Sequence, residues 1–243
     1  MLPVVTTDAP RVIGMIGGMS WESSAEYYRL ANELVRERLG GLHSARCVLT
    51  SMDFAEVECL QVAGRWDEAG ELLAEAARGL EAAGADLLLL CTNTMHKVAD
   101  QVQAAVGIPL LHLGDATAAA VVRADLNTVG LLGTAFTMEQ DFYRDRLASH
   151  GLQVLIPPAD DRAEVHRIIY EELCLGVVRD ESRQFYREVI ARLVRAGAAG
   201  VVLGCTEIEL LISAADSAVP VFATTRLHVE AAVDASLAGI RRG

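Results

Sequence analysis

Leu87-Leu88-Leu89-Leu90-Cys91-Thr92-Asn93-Thr94 decides the fold. Four leucines in a row have no polar face, so the segment reads as a short strand covered by helices on both sides, as parallel sheets are. The polarity then switches at one residue, which marks the carboxyl end of the strand. The same event recurs at Val201-Val202-Leu203-Gly204-Cys205-Thr206-Glu207. Working outward, Val12 to Ile16, Cys47 to Met52, Leu110 to Leu113, Val129 to Leu132, Val154 to Ile156 and Val219 to Phe222 read as further strands. Helical stretches alternate with them, among them Glu22 to Arg38. Another carries Leu72, Leu73, Ala76, Ala77 and Leu80 on one apolar stripe. Strand and helix in alternation predict an α/β fold with parallel sheets.

The chain also repeats itself. Gly14-Met15-Ile16-Gly17 returns as Gly130-Leu131-Leu132-Gly133, and Glu26-Tyr27-Tyr28-Arg29 as Asp141-Phe142-Tyr143-Arg144. Cys91-Thr92 returns as Cys205-Thr206, and Ile108-Pro109 as Val219-Pro220. The offset falls steadily from 116 to 111, as a duplication followed by small deletions would leave it. Two similar pseudo-symmetric domains are therefore expected, with a site in the cleft between them.

Composition narrows the chemistry. The chain has 243 residues, 52% of them hydrophobic and 22% charged, which is ordinary for a globular protein. A net charge of -12 argues against nucleic acid and requires local donors for any small anion. No apolar run is long enough for a membrane span and no signal-peptide pattern opens the chain, so a cytoplasmic location is expected. The five cysteines are odd in number and widely spaced, which fits reduced thiols, and the six histidines show no metal-ligand spacing. Lys97 is the only lysine, hence the only candidate for a pyridoxal Schiff base.

Cys91 and Cys205 stand where open parallel sheets bind ligands, at strand carboxyl ends. The polar residues after them are expected to cap helices whose starts depress the thiol pKa and receive a carboxylate. Two facing thiols suit inversion at a carbon, one removing a proton as the other returns one. Met19, Ser20, Asn93, Thr94, Thr134, Thr206 and Glu207 are the candidate substrate-binding residues. The glycine-rich turn Gly14 to Gly18 lacks dinucleotide spacing and reads as room for substrate. His96 and Lys97 read as solvated helix positions, Lys97 with the option of favouring thiolate at Cys91. His112 reads as a structural histidine, and Cys47, Cys59 and Cys174 as core or incidental.

Three motifs carry a resemblance. They are Ile13-Gly14-Met15-Ile16-Gly17-Gly18-Met19-Ser20-Trp21-Glu22-Ser23-Ser24, Cys91-Thr92-Asn93-Thr94-Met95-His96-Lys97 and Leu203-Gly204-Cys205-Thr206-Glu207-Ile208. Together they resemble the aspartate/glutamate racemase family, in its branch with a Gly-Gly-Met-Ser-Trp opening. The resemblance implies a pyridoxal-independent amino-acid racemase with no cofactor, a two-cysteine 1,1-proton transfer through Cys91 and Cys205, and a homodimer. It also implies that the last strand and helix return to the first domain, giving 1–107 plus 219–243 and 108–218. Two departures stand out. Glu207 replaces the histidine of glutamate racemases proper, where it orients Cys205, holds the ammonium or caps a helix. Cys174-Leu175-Gly176 replaces the Lys-Ala-Gly segment that holds the side-chain carboxylate in aspartate-specific relatives. The substrate is thus an amino acid, acidic or of broader type. The alternatives are a maleate isomerase or malonate decarboxylase of the same superfamily, and a non-catalytic amino-acid-binding protein.

Overall fold

The computed structural model describes residues 9–238, so both outer ends of the expected first domain, residues 1–8 and 239–243, lie outside the described residues. The first half runs β1 (Ile13–Gly17), α1 (Trp21–Leu39), β2 (Cys47–Ser51), α2 (Phe54–Val62), α3 (Trp66–Ala82), β3 (Leu87–Leu90), α4 (Ala99–Ala104) and α5 (Leu113–Arg123). The second runs β4 (Thr128–Gly133), α6 (Ala135–Glu139), α7 (Asp141–Ala148), β5 (Gln153–Leu155), α8 (Ala159–Glu171), α9 (Asp180–Arg195), β6 (Gly200–Gly204), α10 (Ile208–Leu211), β7 (Val221–Ala223) and α11 (Thr224–Leu237).

All pairings are parallel, in the orders β2-β1-β3 and β5-β4-β6-β7. The four leucines of β3 are buried throughout, and so is every residue of β6. The expected strand at Leu110 to Leu113 shrinks to a single parallel bridge between Leu88 and Leu110. Leu113 already opens α5, whose first turn is capped when the Gly114 N–H donates to His112 Nδ1 at 3.0 Å. That bridge still sits where β7 sits in the other sheet. Leu88 N–H donates to the Pro109 carbonyl at 2.8 Å, and Val201 N–H to the Pro220 carbonyl at 2.9 Å. The two sheets therefore share one strand order, as the repeat requires.

The expected domain boundaries need correcting. The segment 219–223 does not return to the first domain, because β7 pairs with β6. Residues 108–110 do not belong to the second, because they pair with β3. The helices after these strands are exchanged. Val229, Ala232 and Val233 of α11 complete a core with Tyr27, Leu30 and Leu34 of α1. Leu113, Ala118 and Val121 of α5 join the core of the second sheet. The repeat at Glu26–Arg29 also shifts by one residue: in these two segments the buried tyrosines are Tyr27 and Tyr143, while Tyr28 is exposed. Each of the pair meets the exchanged helix, Tyr27 through His228 Nδ1 at 2.9 Å and Tyr143 through Thr117 Oγ1 at 3.4 Å.

Close approach explains the repeated glycines. A Cβ on Gly14 would lie 2.7 Å from Leu88 Cδ2, and one on Gly130 2.9 Å from Leu193 Cδ1. Gly18 differs in kind, since its φ of +85° and a Cβ position 2.1 Å from the Met52 carbonyl oxygen admit no side chain.

Candidate active site

The carboxyl ends of β1, β3, β4 and β6 converge on one cavity of about 410 Å³, mouth included, between the two halves. Met19, Ser23, Thr92, Asn93 and Thr94 line it from the first half, and Thr134, Gly204, Cys205, Thr206 and Glu207 from the second. Phe54 and Gln61 of α2, with Ile169, Tyr170 and Cys174, form the remaining wall. Six of the seven expected binding residues thus border one space. The seventh, Ser20, does not line it but donates to Glu207 Oε1 at 2.7 Å.

The hydroxyls here follow the repeat. Ser20 caps α1 by accepting from Ser23 N, and Thr134 caps α6 by accepting from Thr137 N, both at 3.2 Å. Each capped turn then reaches the strand end of the other half. Ser23 Oγ donates to the Cys91 carbonyl at 3.0 Å and so accepts from Thr206 Oγ1 at 2.8 Å. Thr134 Oγ1 meets Thr94 Oγ1 at 3.1 Å, and Thr137 Oγ1 meets it at 3.3 Å. A hydroxyl can turn its hydrogen toward an incoming carboxylate, so both clusters can serve as anion donors.

The thiols are set differently. Cys205 lines the cavity and donates from Sγ to Glu207 Oε2 at 2.9 Å. Cys91 is fully buried among Ile13, Met15, Tyr27 and Val229, and its side chain does not line the cavity. The expected depression of the thiol pKa is overturned at both. Burial pushes Cys91 up, and burial together with the Glu207 carboxylate pushes Cys205 up. The physical reason is that the helical segment after each thiol is short. Cys91 leads into a 3-10 turn, Thr94–Val98, and Cys205 into the four-residue α10. Neither turn supplies a developed helix dipole to offset desolvation. Nor do Asn93 and Glu207 cap them through their side chains.

Asn93 Nδ2 instead donates to Thr224 Oγ1 at 3.2 Å, and its Oδ1 is buried without a partner among the described residues. Glu207 also borders, with Glu22, Glu26 and Glu209, a second hollow that shares Ser23, Thr206 and Glu207 with the cavity. Burial raises the Glu209 carboxyl there to about 7.

His96 is buried rather than solvated: its Nδ1 lies 2.8 Å from the Thr92 carbonyl, and Leu113 N–H donates to its Nε2 at 3.1 Å. His112 and His228 stack edgewise on it at centroid distances of 4.7 and 5.6 Å. Burial holds all three below the ordinary imidazole range, His112 and His228 at about 4. Lys97 lies away from the thiols, its Nζ 4.3 Å above the Trp66 ring and donating to Gln140. It does not line the cavity, so it is not placed to form a Schiff base there. Among the described residues no group of three His, Cys, Asp or Glu side chains could hold a metal ion. No helix among them is long and apolar enough to cross a membrane.

Sequence reasoning missed Ser23, Phe54, Gln61, Thr92 and Tyr170. Thr92 and Ser23 lie within the quoted motifs, and the Ser20-x-x-Ser23 and Thr134-x-x-Thr137 spacing was a usable signal. The α2 and α8 residues carry none.

A two-half α/β protein with a thiol–carboxylate pair at the junction of its sheets is a definite class. A family model described as Asp/Glu/hydantoin racemase matches residues 16–232, and the chain belongs to that family. A crystal structure of a candidate Asp/Glu racemase from Yersinia pestis has 53% identity and a TM-score of 0.88, covering 93% of this chain and 99% of that one. An aspartate racemase homologue from Pyrococcus horikoshii has 34% identity and a TM-score of 0.82 over the same shares. A broad-specificity amino-acid racemase of Bacillus subtilis is 29% identical over 89 residues, which span 37% of this chain and 39% of that protein's length.

Proposed function

We propose that the protein interconverts L- and D-amino acids by a 1,1-proton transfer between Cys205 and Cys91. The observation that carries this reading is the Cys205 thiol hydrogen-bonded to Glu207 inside a cavity lined by both halves. Glu207 takes the Cys205 proton as the substrate seats. The thiolate removes the α-proton and is again a thiol, leaving a carbanion flattened against the carboxylate. Cys91 gives its proton to the opposite face and becomes the thiolate. The proton held by Glu207 returns to Cys91 through solvent, for which the second hollow offers a path. The step requires Cys91 to turn from its apolar cluster toward the cavity when substrate is bound. The hydroxyl clusters at Thr94 and Thr206 hold the α-carboxylate, and Asn93 Oδ1 accepts from the ammonium. A homodimer is part of the proposal, supported by the exposed aromatic face of Trp21 and Tyr28 on α1, and sedimentation reads it.

The test is solvent exchange. In deuterated water the inverted product should carry deuterium at the α-carbon. Cys205→Ala and Cys91→Ala should each lower racemisation by about 1,000-fold or more, as loss of a required proton-transfer group does. Full activity in either variant would end the two-thiol model. Turnover of maleate or an arylmalonate with no exchange on amino acids would transfer the reading to the diacid chemistries.

A further inference from the structure

Gln61 is a polar side chain with one end occupied and the other free. It lies on α2, is 3% exposed and lines the active-site cavity. Its Nε2 donates to Met95 Sδ at 3.0 Å. A thioether sulfur accepts but cannot donate, so this contact fixes the amide with nitrogen toward Met95 and leaves Oε1 the open end. Gln61 Oε1 is buried and has no partner among the described residues. A buried carbonyl left unpaired is destabilising, and an occupant that donates to it removes that cost.

The other unpaired acceptor on the cavity wall, Asn93 Oδ1, lies two residues after Cys91 in the chain and suits the ammonium common to every amino acid. Gln61 comes instead from α2, and with Phe54, Ile169 and Tyr170 it supplies part of the wall that is not a strand end. Among the described residues no arginine, lysine or histidine lines this cavity, and Glu207 is its single charged residue. A carboxylate at the substrate's far end would lose its water, meet a carbonyl oxygen and find no positive charge.

We propose that Gln61 is the side-chain selector of this racemase, accepting a hydrogen bond from a neutral substrate whose side chain ends in a donor such as an amide or hydroxyl. This rests on the racemase reading and names the substrate class for the same site.

Asparagine, aspartate and leucine test it directly, because their side chains have one shape and differ at the tip: donor, carboxylate, methyl. Measured as α-proton exchange in deuterated water, kcat/KM for asparagine should exceed that for aspartate and leucine by roughly 10- to 100-fold, the discrimination of one buried hydrogen bond. In Gln61→Met the asparagine-to-leucine ratio should fall to near one, with leucine turnover retained as evidence that the variant is folded. Aspartate turned over as well as asparagine by the wild type would overturn the proposal, and no variant is needed to see it. An undiminished asparagine-to-leucine ratio in Gln61→Met would overturn it as well. Exchange on amino acids without preference for a donor tip removes the selector alone, whereas no exchange on any amino acid removes the racemase reading and the selector with it.

Discussion

Cys91 and Cys205 occupy equivalent strand ends, yet their surroundings have diverged. Two residues after each thiol stands Asn93 in one half and Glu207 in the other. Glu207 accepts directly from its cysteine, while Asn93 faces away from its own and ties to Thr224. Cys205 borders the cavity and Cys91 packs in an apolar cluster. A symmetric frame has thus acquired one thiol with a base at hand and one held as an uncharged acid. Under the proposed two-thiol transfer this asymmetry is useful, because two adjacent thiolates would repel and two thiols with no base beside either could not begin.

The largest effect that could break this comparison lies in the two diverged residues. Glu207→Gln should lower kcat by about 100-fold, the lower range for loss of a general base. It should also let Cys205 ionise at lower pH, because a neighbouring negative charge has gone. Asn93→Ala should act mainly on KM, within about 10-fold, as loss of one binding hydrogen bond does. Equal losses of kcat in steady-state assays of the two variants would mean that the strand ends still work alike.

A second expectation concerns pH. His228 bridges the halves, accepting from Tyr27 and lying 2.7 Å from the Leu111 carbonyl. Its folded pKa of about 4 lies below the ordinary value, so the unfolded chain binds the proton first as pH falls. The stability at stake is fully present above about pH 6.5 and is lost progressively toward pH 4. Urea unfolding at pH 7 and pH 4.5 should show wild type losing about 2–3 kcal/mol more than His228→Gln over that interval. A parallel response of the two proteins would remove His228 from the account.

The smallest effect separates the two sheets. Gly14→Ala meets Ala85 Cβ at 2.9 Å and the Leu87 carbonyl at 3.2 Å, which cannot swing aside, as well as Leu88. Gly130→Ala meets Leu193 nearest, at Cδ1 2.9 Å, the end of a side chain able to rotate. Overpacking should cost about 1–3 kcal/mol at Gly14 and less at Gly130, read from urea midpoints. A larger loss at Gly130 would show that the second sheet is the more rigid.

The parallel sheets were legible because β3 and β6 are buried on both faces, which forces continuous apolar runs that no amphipathic helix produces. Leu110 to Leu113 was over-read because it is equally apolar, while His112 caps a helix there. The thiols and the hydroxyl residues were legible through the repeat and their strand-end positions. Their protonation was not, because desolvation depends on the groups packed against a sulfur, and no spacing records that. Gln61 escaped notice for a similar reason: α2 reads as an ordinary surface helix, and only the fold shows Gln61 against Met95.

The exchange of α5 and α11 has a consequence for how the molecule is made. Translation delivers every strand of the first sheet before any strand of the second. The helix that covers Tyr27, Leu30 and Leu34 is made only after every strand of the second sheet. The emerging half must therefore wait, its tyrosine and leucines uncovered, until the second sheet and the helix after it have left the ribosome. Severing the gene between the repeats would yield two fragments, each missing part of its own interior and carrying part of the other's, so neither would close its core alone.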